Sequence, residues 1–274
     1  MGVEVVSSAD LVQLFESVWT YRQLVSHQYA AEALREIVDQ AFQRVRSVLL
    51  GRETLTEHDL QEFLLSCFQD YNLVTADIPI VAVNAHSADP HYCPDLEDSS
   101  SIRAGDLVLI DLLAKKGAPG SVYADFTWTG YAGEVVPQEY NEVFAVVMQA
   151  RDAGLAFVHR SLQEKTPICG WQVDDVARNV IRQEGYGDHF IHRTGHSIGE
   201  EDHGDGANLN NLETRDERRI ISRTGFSIEP GIYLEGRFGI RSEINIYASE
   251  EGATVTGLPI QTEVVPIFCE STKA

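Results

Sequence analysis

Downstream of Thr54, apolar residues fall at Leu60, Phe63, Leu64, Cys67 and Phe68, the i, i+3, i+4, i+7, i+8 spacing of one helix face. Thr54 followed by Glu57 predicts a capping box at the start of that helix. The same period runs through residues 31–50, 137–158 and 171–184, the last closed by Gly185 as a C-cap. Between these helices lie runs rich in β-branched and aromatic residues, 78–85, 106–114, 122–130, 226–234 and 239–248, which predict strands. The short stretch His189-Phe190-Ile191-His192 also reads as strand. Helices and strands thus mix along the whole chain, which predicts an α+β fold.

No boundary interrupts this mixture. The polar stretch 87–101 joins two predicted strands and reads as a functional loop rather than a linker. The expectation is one catalytic domain over 1–274, with a helical lead-in at 1–75 and the chemistry in 76–270.

Charge narrows the functions. The formal net charge is −21, which repels phosphate backbones and anionic membrane surfaces, so neither nucleic acid nor membrane is an expected partner. Four scattered cysteines form no C-x-x-C pair and read as reduced thiols. The opening residues lack a basic start and an apolar core, Gly2 lacks the myristoylation pattern, and no long apolar run occurs. A soluble cytoplasmic protein is the expectation.

Within the predicted strands, acids recur in pairs. Asp111 and Asp125 lie fourteen residues apart around the turn Gly117-Ala118-Pro119-Gly120, and Glu229 and Glu243 lie fourteen apart around Gly236. Hairpins closing at those midpoints set the members of each pair opposite each other, with Cβ atoms about 4.5–5.5 Å apart. Carboxylates that close either share a cation or repel, and each acid interrupts an apolar strand where a bare charge is costly. The bland alternative is that one or two of them face solvent. His196, in Thr194-Gly195-His196-Ser197-Ile198-Gly199, supplies a second ligand type, and His203 follows seven residues later.

In chain order, Asp111, Asp125, His196, Glu229 and Glu243 resemble the five metal ligands of the pita-bread metallopeptidases, the family of methionine aminopeptidase, aminopeptidase P, prolidase and creatinase. The segments LVLIDLLA, YADFTWTG, HRTGHSIG, SIEPGIYLEG and IRSEINIY are each similar to a family segment, and the likeness runs from about Ile78 to Ile267. It implies a curved, mostly antiparallel sheet with helices on its outer face, built from two halves related by a pseudo-two-fold. It implies two divalent metal ions, with Mn²⁺ favoured by the oxygen-rich ligand set and Co²⁺, Fe²⁺ or Zn²⁺ as further options. It also implies hydrolysis of short peptides by a hydroxide held between the ions. By motif position, Glu229 is in addition the general base, His203 a donor to the oxyanion, and His91 and His192 substrate contacts. His192 draws the likeness toward the prolidase-like, Xaa-Pro-cleaving subgroup, and a homodimer is expected from the family.

The chain departs from that pattern in three places. The family often has Glu and then Pro after the second histidine, where this chain reads His203-Gly204-Asp205-Gly206. The spacing from Asp111 to Asp125 is a few residues longer than usual, which is assigned to the turn. The separate N-terminal domain of prolidases does not fit within the length.

Three other readings compete: a methionine aminopeptidase-type enzyme, a pita-bread module that binds peptides without cleaving them, and a serine hydrolase. The last rests on Gly195-x-Ser197-x-Gly199, which satisfies the nucleophile-elbow pattern but lacks a helix-forming sequence after it and any histidine beyond His203. A calcium loop beginning at Asp202 fails at Gly204, and the acidic run 200–205 reads as pocket rim or solvated loop.

Overall fold

In the computed structural model, the described residues are 3, 7–97, 99–201 and 203–269. Gly2, Asp202 and the end of the predicted core at Glu270 lie outside them. Three helices lead, α1 (Ala9–Glu16), α2 (Tyr21–Leu50) and α3 (Glu57–Asp70). Helix α2 starts ten residues before the predicted residue 31, because Thr20 and Gln23 form a capping box there and His27, a buried polar residue, hides the apolar stripe in the sequence. The cap of α3 falls on Thr56 rather than Thr54. Asp59 is its partner, its carboxylate accepting from Thr56 N at 2.9 Å. That leaves Glu57 free to turn inward, where it accepts from Val83 N, His86 Nδ1, Tyr92 Oη and Ser100 N and so ties down both ends of the loop 84–101.

The strands β1 (Leu73–Val74), β2 (Ile80–Val83), β3 (Leu107–Lys116) and β4 (Ala124–Tyr131) follow, then α4 (Gln138–Gln163) and α5 (Gly170–Gln183). The second half adds β5 (Ser197–Ile198), β6 (Gly225–Ile228), β7 (Gly231–Leu234), β8 (Phe238–Arg241), β9 (Ile244–Ser249), β10 (Gly252–Thr256) and β11 (Val265–Pro266). The stretch 189–192 is not a strand: a 3₁₀ turn at Gly187–His189 leads into irregular backbone, which Arg178 holds by donating to the carbonyls of Phe190 and His192. Each of the long runs 226–234 and 239–248 divides in two near Glu229 and Glu243. Pro230 has no N–H to give a ladder, and Glu229 N donates elsewhere.

The sheets are almost wholly antiparallel. Strands β1-β3-β4-β11 run in that order with β2 also on β3, strands β10-β9-β6-β5 form the second sheet, and β7-β8 is a hairpin continuing β6 and β9. On β3 the even-numbered Val108, Ile110, Leu112 and Ala114 join Ala124, Phe126 and Trp128 of β4 in a core with α2 and α3. In the second half Phe226, Ile228, Ile244 and Ile246 pack with Val158 of α4 and Val173 of α5. Because side chains alternate along a strand, Asp111 and Asp125 point away from α2 and α3, to the face opposite this core. This is the pita-bread fold, with helices on one face and Asp111, Asp125, Glu229 and Glu243 on the other. No helix among the described residues is long and apolar enough to cross a membrane.

Candidate metal centre

Registers decide how close the four acids come. In the first ribbon Asp111 pairs with Thr127 and Leu113 with Asp125, so the two acids are diagonal neighbours rather than opposite as their spacing predicts. The hairpin is centred on Pro119, one residue beyond the predicted midpoint. Diagonal neighbours still lie about 7–8 Å apart, near enough for both carboxylates to face one centre. In the second ribbon the pairs Ile228–Ile244 and Gly231–Arg241 flank Glu229 and Glu243 and set them opposite each other, as predicted. Where their ladder lapses, Glu229 N donates to Thr194 O at 2.7 Å and Glu243 N to Thr127 O at 3.3 Å. Those two bonds fasten the second ribbon to β4 and to the segment that carries the histidines.

His196 arrives from that segment. Gly195 permits it: a Cβ there would lie 2.1 Å from Ser227 O, so only glycine lets the backbone run this close to β6. Its Nδ1 sits 3.0 Å from Ser197 O and donates to it, which fixes the tautomer and leaves Nε2 with a lone pair. That atom is 3.2 Å from Asp125 Oδ2 and 3.5 Å from Glu229 Oε1. A lone pair facing two carboxylates is repulsive unless a cation or proton intervenes.

Glu243 makes the same demand. Its Oε2 accepts from Thr127 Oγ1 at 2.9 Å, while the buried Oε1 has no hydrogen-bond partner among the described residues. Burial first, then the charges of Asp125, Glu229 and Asp111, push its carboxyl well above the usual carboxylate range. Single ligand atoms from Asp125, His196 and Glu243 all lie within 4.8 Å of one another. An orphaned buried oxygen, an imidazole lone pair and clustered carboxylates are the donor set of a divalent-cation site.

Around the acids opens a cavity of about 780 Å³. His91, His192 and His203 all line it, with Ile78, Ile80 and Leu113 forming an apolar wall beside Asp111. His192 donates from Nδ1 to Arg193 O and accepts from Tyr233 Oη at Nε2, both at 2.7 Å. Burial, and then the charge of Arg241, drops its pKa to about 3, so it is neutral. The His203 ring lies 4.4 Å from that of His196, and its Nε2 accepts from Arg193 Nη2 at 3.0 Å. Burial, then His196 and Arg193, lower it to about 4. Glycines carry the departure after His203. Gly204 and Gly206 pack on Ser197 so closely that a Cβ on either would approach Ser197 Oγ to 2.9 and 2.6 Å.

Sequence reasoning missed Arg241, Tyr233 and Thr127. Buried Arg241 donates to Asp111 Oδ2, to Thr127 Oγ1 at 2.8 Å and to Tyr233 Oη at 3.0 Å, so one cation is wired to two acids and to His192. Burial opposes its charge, but Tyr233, Asp111, Glu229 and Glu243 together hold it well above the usual range. Its odd-numbered position, two residues before Glu243, was the available signal. The nucleophile-elbow reading fails: Ser197 is buried on β5, accepts from Gly206 N, and no helix follows it before β6 among the described residues.

Fold and site together define a candidate metal centre: a basin of carboxylates and one imidazole beneath a cavity lined with histidines. A sequence profile of metallopeptidase family M24 matches residues 26–250, and the chain belongs to that family. It is 29% identical over 254 residues to the probable dipeptidase PepE of Mycobacterium tuberculosis, covering 89% of this chain and 62% of that protein. It is 30% identical to the uncharacterized peptidase YqhT of Bacillus subtilis, covering 93% and 68%. Among solved structures, the X-Pro aminopeptidase of Thermotoga maritima superposes with a TM-score of 0.79 at 28% identity, covering 93% of this chain and 67% of that one. Prolidase from Thermococcus sibiricus gives 0.74 at 27%, covering 94% and 64%. The chain spans about three-fifths of the length of the first of these curated relatives.

Proposed function

We propose that this chain is a metal-dependent exopeptidase that cleaves short peptides near their free N-terminus, of the Xaa-Pro dipeptidase or aminopeptidase type. The observation that carries the reading is the convergence of Asp125, His196 and Glu243, together with a buried Glu243 oxygen that has no hydrogen-bond partner among the described residues. Relatives named as a dipeptidase, a prolidase and an X-Pro aminopeptidase support the substrate class.

Asp111, Asp125, His196, Glu229 and Glu243 hold two divalent cations in this reading, and the oxygen-rich set favours Mn²⁺ over softer ions. When bound, such a pair lowers the pKa of water and polarises the scissile carbonyl. Glu229 takes the proton from the attacking water and delivers it to the leaving amine. His203, its Nε2 occupied by Arg193, has Nδ1–H to donate to the developing oxyanion. Arg241 anchors Asp111 so that this carboxylate keeps its direction. His91 and His192 line the path of the substrate, and Ile78, Ile80 and Leu113 offer it apolar contact. A homodimer and a cytoplasmic location belong to the same proposal.

The test is a panel of Met-X, X-Pro and X-Pro-X peptides assayed with Mn²⁺, Co²⁺ and Zn²⁺. Hydrolysis of X-Pro bonds is expected. Cleavage of Met-X alone makes the enzyme a methionine aminopeptidase, and no cleavage with bound metal makes it a binding module. Glu229→Gln is expected to lower kcat by about 10² or more with the fold intact, read by circular dichroism. An active variant would refute the role of Glu229.

A further inference from the structure

Glu57 is a wholly buried acid that belongs neither to the metal cluster nor to the cavity lining. Its Oε1 accepts from Val83 N at 2.7 Å and His86 Nδ1 at 3.0 Å, and its Oε2 from Tyr92 Oη at 2.7 Å and Ser100 N at 2.8 Å. Four donors on two oxygens fill the acceptor capacity of a carboxylate, and only the ionised form offers so many. Glu57 also opens α3, where the free N–H groups of the first turn favour a negative charge.

The four donors belong to one segment of chain. Val83 ends β2, His86 and Tyr92 lie in the loop that follows, and Ser100 stands at its far end. Helix α3 holds that far end a second time, since Glu57 N donates to Ser100 O at 3.0 Å and His58 N to Ser99 Oγ at 2.8 Å. Another anchor lies on β8. Ser87 Oγ accepts from Gly239 N at 2.8 Å, and a Cβ at Gly239 would lie 2.0 Å from Ser87 O, so the two backbones touch. The loop is thus fixed at residues 86, 87 and 92, and between these points Pro90 and His91 reach the cavity. Inside the turn, His91 N donates to Asp89 Oδ1 at 2.9 Å and Tyr92 N to Asp89 O at 3.2 Å. The rings of His86 and Tyr92 pack on each other with centroids 4.3 Å apart. His91 itself is exposed, so the backbone that carries it sets its place at the cavity.

From this bonding we infer that Glu57 is a positioning residue for His91: it holds the turn 86–92 shut and so fixes the direction in which His91 meets a bound peptide. The inference rests on the peptidase reading above. Glutamine in place of Glu57 keeps the shape but replaces one oxygen by an NH2 group, which meets two donors head-on. Tyr92→Phe is the milder change, since it removes one donor and leaves the carboxylate.

The experiment measures Leu-Pro hydrolysis by Mn²⁺-loaded wild type, Glu57→Gln and Tyr92→Phe, each with His91 intact and with His91→Ala. Glu57→Gln is expected to raise KM about tenfold and to leave kcat within about twofold. Tyr92→Phe is expected to raise KM about threefold. With His91→Ala, both substitutions are expected to leave KM unchanged, because the contact they position is gone. A role confined to stability lowers the active fraction, and with it kcat, at constant KM, and that result overturns the inference. A KM effect that persists without His91 overturns it as well. Hydrogen exchange of residues 84–93, followed by mass spectrometry on the same proteins, needs no turnover. It is expected to quicken about tenfold or more in Glu57→Gln, and unchanged exchange in both variants overturns the inference even where KM moves. If wild type leaves Leu-Pro intact, the peptidase reading fails, while the exchange rates still decide whether Glu57 holds the turn.

Discussion

In the proposed metal site, Glu243 shows in a single side chain how stability is traded for affinity. One oxygen is satisfied by Thr127, the other is buried and bare, and three further carboxylates surround it. Without a cation this group opposes folding, and with one it contributes to binding. Glu243→Gln removes the charge and keeps the shape. In chelated protein the variant is expected to melt higher than wild type, by about 2–4 °C for each kcal/mol of repulsion removed. Saturating Mn²⁺ at a hundred times its dissociation constant stabilises wild type by about 2.7 kcal/mol, and the variant is expected to lose most of that gain. Scanning calorimetry with and without EDTA measures both arms. A variant that melts lower than wild type in EDTA would show that Glu243 is satisfied without metal.

Elements, more than single residues, decide what was legible in the sequence. The strands on which the site rests were readable because their runs are rich in β-branched and aromatic residues, so that Asp111, Asp125 and Glu243 stand out as interruptions. The second acid pair was placed correctly since a tight turn around Gly236, at φ +71°, makes spacing and register agree. The first was misplaced by one pairing because the wider turn after Lys116 absorbs an extra residue on one side, which spacing alone does not reveal. The segment 189–192 was misread for a different reason. Its apolar residues mimic a strand, but the carbonyls of Phe190 and His192 accept from the Arg178 side chain and Thr194 N donates to Asp174, the ion partner of Arg178, side-chain bonds to the preceding helix α5 that an apolar pattern does not reveal. That buried pair is the clamp on which His192, Arg193 and Thr194 depend. Asp174→Ala would leave Arg178 charged and unpaired in the core, a loss of about 3–5 kcal/mol by the usual cost of breaking a buried pair. Urea unfolding is the measurement, and a loss under 1 kcal/mol would mean the segment is held by its backbone alone.

Across the whole molecule, the two halves each place helices behind a twisted antiparallel sheet and acids before it, and the lead-in helices complete the first half. His27 on α2 lies at that seam. It is wholly buried between Tyr123 O, 2.6 Å from Nδ1, and Thr256 Oγ1, 2.7 Å from Nε2, joining α2 to the start of β4 and to β10. Burial lowers its pKa from the ordinary 6.5 to about 4, despite the bond to Tyr123 O. The sign of the pH dependence follows. Below pH 6.5 the unfolded chain takes up a proton at this position and the folded chain does not until pH 4, so stability falls as the solution is acidified across that window. Each pH unit costs about 1.4 kcal/mol, or about 3 kcal/mol in all for His27. His192, lowered to about 3 by burial and by Arg241, adds a loss of the same sign, while the more exposed His203 adds less. Metal binding is itself acid-sensitive, so the measurement belongs in chelated protein: urea midpoints at pH 7, 6, 5 and 4. Wild type is expected to weaken steadily over the series. His27→Gln, weaker at pH 7 for lack of the buried ring, is expected to lose less over the same range, since glutamine binds no proton in either state. Parallel slopes for the two proteins would show that His27 takes up its proton when folded as readily as when unfolded, contrary to the desolvation that its burial imposes.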